Sequence, residues 1–418
     1  MKQYFFAADI LLPDFSKHDG TKWAVIACDQ HTGEPEYWHA AEALVGADPS
    51  TLAMILREAY LEQTEERIPV INQTMDRYLT EVLREHKDSM IYLERTLANG
   101  TVRRGIVGCI DLEQYDYSRG AASLIRATEG TVLERIPPRV AIRRGASVEL
   151  PHVMVLVDDP MKTVVEPIAN ACGALDLAYD FDLMLDGGHV KGYWIDSDRQ
   201  TALNGALEAL ITPQQMKARY GEEYAPLLFA VGDGNHSLAS AKAAYEEVKA
   251  ALGDKAADHP ARYALVEIVN LHDEALDFDP IYRVMFDVSP AAVLEALREY
   301  AGHLDGAERP QKVDYVHAGG TGSLVFRHPT QQLTVGTIQT FIDSYLASHP
   351  EASVDYIHGV EVTEALARRE NAIGFLFDGM EKEQLFKTVI CDGALPRKTF
   401  SMGHAADKRY YLECRKIK

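Results

Sequence analysis

The stretch that most constrains this chain is Phe229-Ala-Val-Gly-Asp-Gly-Asn-His-Ser-Leu-Ala-Ser-Ala-Lys242, which holds an apolar run, a Gly-flanked acid and a helix start within fourteen residues. Leu227 to Val231 reads as a short buried strand. Ser237 is a suitable N-cap for a helix whose apolar positions Leu238, Ala241, Tyr245, Val248 and Leu252 recur at helical spacing. The predicted order is strand, tight turn, helix. Gly232 and Gly234 can take backbone angles closed to other residues, so the unpaired N–H groups of the helix start can face an anion outside the turn. The alternative is a Gly-rich connection that binds nothing. Neither a Gly-x-x-x-x-Gly-Lys-Ser/Thr loop nor a complete Gly-x-Gly-x-x-Gly dinucleotide motif occurs there.

The rest of the chain predicts helices and strands interleaved without the strict repetition of a barrel, an α+β class with mixed sheets. Trp23 to Cys28 reads as a strand followed at once by polar Asp29, and Thr32 as the cap of a helix with Glu34 and Glu36 in its first turn. Asp48-Pro49 starts another helix through Tyr60. Met90–Thr96 and Val102–Asp111 form a hairpin about Asn99-Gly100, and Val153–Val157 is a core strand. Val164 to Ala174 reads as helix and Leu333-Thr-Val335 as strand. Gly319 to Ser323 resembles a phosphate loop but lies between two strand patterns, so a hairpin turn is expected. With 418 residues, two or three lobes are expected, drawn at 1–150, 151–285 and 286–418.

Charge narrows the partners. The chain carries 42 basic and 63 acidic residues, a net charge of −21, which disfavours nucleic acid but leaves room for small anions at a local basic cluster. Five separated cysteines form no Cys-x-x-Cys pair, the early Asp9 breaks any secretory apolar run, and no run approaches the roughly 18 apolar residues of a membrane span. A soluble cytoplasmic protein without a membrane partner is expected, with self-association left open.

Four segments, in order, resemble the uncharacterised DUF1015 family: Arg104–Val107 with Asp111–Tyr115, Gly232–Ser237, Asp279–Val284 and Leu395–Thr399. Asn235, Ser237 and Tyr282 stand where that family usually has His, Arg and His. The central motif is similar to the group of ParB-like switches, sulfiredoxin and free serine kinases, so the resemblance implies a ParB/serine kinase-like core that holds nucleotide phosphates at this turn. It also points to Glu129 and Thr131, which keep the Glu and Thr of a His-Glu-Lys-Thr signature, and to Arg283.

Two readings follow. One is a nucleotide-dependent phosphotransferase, a small-molecule kinase acting on an amino acid or other hydroxyl metabolite with ATP or ADP and Mg²⁺; the other is a nucleotide-binding switch without turnover. In the first, Asp29, Glu34 or Glu36 supplies the acid near the acceptor, and Asp233 holds Mg²⁺ or orients His236. Gly232, Gly234, Asn235 and Ser237 line the phosphate, while Arg283, Arg397 and Lys398 neutralise its charge. The opposing readings are ordinary ones: acids that suit a helix dipole, an Asx turn at Asp233, a satisfied histidine at a helix start and surface basic side chains.

Overall fold

The computed structural model describes residues 2–130, 136–221, 224–403 and 405–418. By internal packing the chain divides into Met1–Leu276 with His404–Lys418, and Asp277–Gly403. Each unit is a mixed α/β assembly, in agreement with the interleaved helix and strand patterns.

Among the described residues of the first unit, a nine-stranded sheet runs in the order Asp176–Asp182, His189–Trp194, Ile91–Thr96, Val102–Asp111, Tyr263–Asn270, Met154–Val157, Phe229–Asp233, Ile125–Ala127, Tyr115–Asp116. Alternate residues of one strand feed different cores, as the period of two requires. Val107 and Cys109 join a cluster with Trp23, Trp38 and Met75. Ile106 and Ile110 join one with Phe229, Leu238 and Tyr245. A second sheet orders Leu83–Ser89, Ala8–Pro13, Cys414–Lys416 and Val148–Glu149, and Val25–Ile26 pairs with Tyr410–Tyr411. The C-terminal segment therefore lies within the first unit.

In the second unit the sheet order is Gly320–Phe326, Gln311–His317, Ala372–Leu376, Phe278–Phe286, Ser353–His358, with Phe400–Met402 pairing the start of Phe278–Phe286. The expected hairpin is present, but Ala318 and Gly319 make its turn, and Gly320 to Ser323 already pair in the strand that follows. Among the described residues no helix is long and apolar enough to cross a membrane.

Several local expectations are corrected. The helix after the central strand begins at Asn235 with Gly234 as its cap, so Ser237 lies inside its first turn. Asp48-Pro49 opens no α-helix; Ser50 caps a short 3-10 turn at Thr51–Met54, and Ile55 is extended. Thr51 Oγ1 donates to the carbonyl of Trp23 at 2.9 Å, tying this turn to the core rather than to a continuing helix. Val164–Ala174 contains only the short helix Glu166–Asn170 and a 3-10 turn at Cys172–Ala174. Thr334 opens the helix Thr334–Ser348 where a strand is expected, and Glu34, not Thr32, precedes the helix Pro35–Val45.

Candidate functional site

The central strand Phe229–Asp233 runs parallel to Ile125–Ala127 and antiparallel to Met154–Val157, with its register broken between Val231 and Asp233. Gly232 is the residue at this irregularity, and such a bulge re-aims the side chain that follows it. Gly234 then takes φ +80, in the left-handed region, and a Cβ there would lie 3.0 Å from Val153 Cα. Chain reversal and close approach both require glycine. As the cap of an 18-residue helix it offers no side chain to the first-turn N–H groups. The positive end of a helix dipole thus begins at the turn.

Side chains around this turn are held in place. Asp233 accepts from the Gly234 N–H at 2.8 Å and faces Lys408 Nζ at 3.5 Å. Asn235 Oδ1 accepts from the Thr128 N–H at 3.3 Å, and Thr128 Oγ1 donates to the carbonyl of Val231 at 2.6 Å. Asn235 therefore ties the helix start to the neighbouring strand. Ser237 Oγ lies 3.4 Å from His152 Nε2. His152 is only 4% exposed and packs edge-on against Tyr411 at 5.3 Å. His236 and Glu129 are partly buried near the same strand end, and Thr131 lies outside the described residues.

Asp29 reaches this neighbourhood through pairing of Val25–Ile26 with Tyr410–Tyr411, which sets the polar end of the first strand beside the C-terminal segment. Burial works against its charged form, but His152, Gln30 and Lys408 outweigh it and hold the Asp29 carboxyl below the usual carboxylate range. Asp29 and Asp233 thus both face Lys408. Glu34 and Glu36 are exposed, and Glu34 lies 3.2 Å from His31 Nδ1. The arrangement gathers Asp29 with the turn and leaves these two glutamates on the helix surface.

Lys408 is positioned by a buried scaffold. Arg95 donates to the carbonyl of Ala406 at 3.0 Å, and Arg103 to that of Asp407 at 2.9 Å. Arg409 lies between Glu267 at 2.8 Å and Glu413 at 2.7 Å. Both ions of these pairs are desolvated, so their mutual attraction must offset a large solvation cost. His152, Lys408 and Tyr411 are functional candidates that motif reading misses. No spacing ties them to Gly234; a histidine just before the core strand Met154–Val157 is the only signal for His152.

Next to the turn lies a cavity of about 140 Å³ whose lining includes Cys28, His152, Ser237, Tyr411, Met54, Leu56 and Ile142. Its charged walls are internally paired: Arg139 with Glu58, and Arg143 with Glu149. Of the arginines nearby in sequence, Arg144 pairs with exposed Glu247 at 2.6 Å, and Arg126 is buried on backbone carbonyls. Arg135 lies outside the described residues.

The remaining basic candidates belong to the second unit and come together around Tyr356. Arg283 is fully buried and donates to Gln339 Oε1 at 2.9 Å and to the carbonyls of Arg397 and Lys398 at 3.0 and 2.9 Å. It orders the segment that carries Arg397 and Lys398, whose side chains are exposed. Both lie 5.4 Å from the Tyr356 ring centre, and Arg397 Nε donates to its hydroxyl at 2.7 Å. Tyr282 packs on Phe377 instead of taking a polar role.

Among the described residues no three His, Cys, Asp or Glu side chains converge as a metal site. The Asp233 carboxylate meets the Gly234 N–H and Lys408.

The sequence pattern of the family described as "Protein of unknown function (DUF1015)" matches residues 14–414. No curated protein matches. Among solved structures, the chain is similar to a free serine kinase in complex with AMP, at 11% identity and a TM-score of 0.36, covering 74% of this chain and 90% of that one. It is also similar to a conserved hypothetical protein from Pyrococcus furiosus, at 9% identity and a TM-score of 0.35, covering 74% and 94%. SbnI with C-terminal truncation from Staphylococcus aureus matches at 11% identity and a TM-score of 0.34, covering 73% and 85%.

Proposed function

The chain belongs to the DUF1015 family of proteins of unknown function, and from that premise we propose that it is a nucleotide-dependent phosphotransferase acting on a small hydroxyl metabolite. The observation that carries this reading is the glycine-capped start of the helix Asn235–Leu252 with Lys408, Asp233 and Asp29 about it. An anion is favoured where a helix begins, where first-turn N–H groups and the dipole add to a lysine. The terminal phosphates of ATP or ADP fit that need.

Transfer to a hydroxyl also needs a proton acceptor. Asp29 with His152 meets that requirement: the carboxylate orients the imidazole, and the imidazole takes the proton of the acceptor hydroxyl. Asp233 would hold Mg²⁺ against the phosphate oxygens, and the ion would neutralise charge there. A nucleotide switch without turnover needs only N–H groups and cations; an acid and an imidazole beside the turn favour transfer. Of the family-derived basic residues, all of which belong to the second unit, we assign Arg283 to ordering the 396–399 segment.

A thermal-shift screen of ATP, ADP, CTP and GTP with and without Mg²⁺ tests the binding half, because a ligand that binds only the native state raises its melting temperature. Phosphorus NMR of the mixture with a set of alcohols and hydroxy amino acids tests the transfer half. A nucleotide shift with a new phosphoester signal is expected. A shift without any transfer supports the switch instead.

A further inference from the structure

A phosphotransferase of this kind must hold its acceptor where the hydroxyl meets both the base and the terminal phosphate. The cavity beside the turn shares residues with both. Ser237 belongs to the first turn of the helix that starts at Gly234, and His152 lies 3.4 Å from its hydroxyl; both line the cavity. Its volume of about 140 Å³ is several times the roughly 10–15 Å³ one water needs.

The chemistry of the wall selects the occupant. Met54, Ile55, Leu56, Leu61, Ile142 and Val148 give an apolar surface. Four charged groups also reach it, but Arg139 is paired with Glu58, and Arg143 with Glu149, whose other oxygen receives Arg415 at 2.8 Å. A carboxylate entering here would compete with glutamates for the arginines, and an ammonium group would compete with arginines for the glutamates. Either leaves a desolvated charge unpaired, which is strongly unfavourable. Hydroxyl groups face no such penalty, since His152, Ser237 and Tyr411 offer hydrogen-bonding atoms at one end.

We propose that this cavity is the acceptor subsite and that its substrate is an uncharged alcohol with an apolar body, not a free amino acid, its hydroxyl turned towards His152 Nε2. This rests on the phosphotransfer reading above. In the step, His152 Nε2 takes the hydroxyl proton as the alcohol oxygen forms a bond to the terminal phosphorus of a nucleoside triphosphate. The bond from that phosphorus to its bridging oxygen breaks, and the electron pair leaves with the nucleoside diphosphate. The alkyl phosphate and the diphosphate are the products, and the proton is later lost from His152 to solvent.

The test uses the full chain, cyclohexanol and L-serine as probes, and two substitutions that fill the cavity from its wall, Ala146→Leu and Ile142→Phe. Affinity for each probe is read by saturation-transfer NMR in the presence of ADP, and ATP binding by its melting shift. Cyclohexanol is expected to bind at least tenfold more tightly than L-serine. A folded filled variant should lose that binding at least tenfold while keeping ATP affinity within about twofold. Equal binding of L-serine, or undiminished cyclohexanol binding in either folded variant, overturns the inference while ATP binding still stands. A wild-type chain that shows no ATP shift overturns the parent reading instead.

Discussion

Asp29 and Asp233 come from distant parts of the chain and face one lysine, Lys408, which arrives on the C-terminal segment. Replacing Asp29 by Asn preserves shape and removes the charge that we propose orients His152. The expected result is a loss of phosphoryl transfer of at least about a hundredfold, with the ATP melting shift retained. An unchanged turnover number would remove Asp29 from the role. The Asp29 carboxyl is held below its ordinary value of 3.8, so its contribution to stability is present above that value and fades as pH falls through the lower folded one. Glu34 and Glu36, exposed on their helix, should tolerate Gln with activity within about threefold; most exposed charges contribute little. This division between Asp29 and the two glutamates was not legible in the sequence, where all three are acids near a strand end. It follows from the pairing of Val25–Ile26 with Tyr410–Tyr411, a contact across almost the whole chain.

At the scale of elements, the strand, turn and helix at Phe229 to Leu252 were legible because glycine, an apolar run and helical spacing all act locally. The cap was misplaced by one turn. Ser237 is a better cap than glycine by local preference, but Gly234 reverses the chain against Val153 and starts the helix earlier. That close approach changes what a substitution there would show. Gly234→Val would meet Val153 and force a β-branched residue into φ +80. A cost of about 1–3 kcal/mol is expected for such strain, so lost nucleotide binding would be mixed with lost stability. Denaturant melting should show this destabilisation without any ligand. The segments after Asp48 and Val164 were misread as longer helices because apolar spacing does not reveal where a side chain such as Thr51 is tied to a distant carbonyl.

Across the whole molecule, the first unit is closed by ion pairs that no motif marks. Glu149 accepts from Arg415 at 2.8 Å and pairs with Arg143 as well. Burial works against its charged form, but Arg415 and Arg143 outweigh it and hold its carboxyl below the ordinary 4.5. Its contribution is therefore full above that value and is lost as pH falls through the depressed folded value. Glu149→Gln should lower stability by about 3 kcal/mol near neutral pH, as breaking a buried pair does, and should flatten the acid side of the stability profile. A wild-type slope below pH 4.5 in this variant would assign the acid sensitivity elsewhere. The same closure carries Lys408 to Asp233, and so the central claim, that a nucleotide's phosphates sit at the Gly234 turn, is tested most directly there. The measurement is calorimetric titration of ATP into the wild-type chain and into Lys408→Met. Saturable binding that weakens about tenfold or more in the variant is predicted, the loss expected for a charged hydrogen bond of about 1.5–3 kcal/mol; no binding to the wild-type chain, or equal affinity for both, would contradict it.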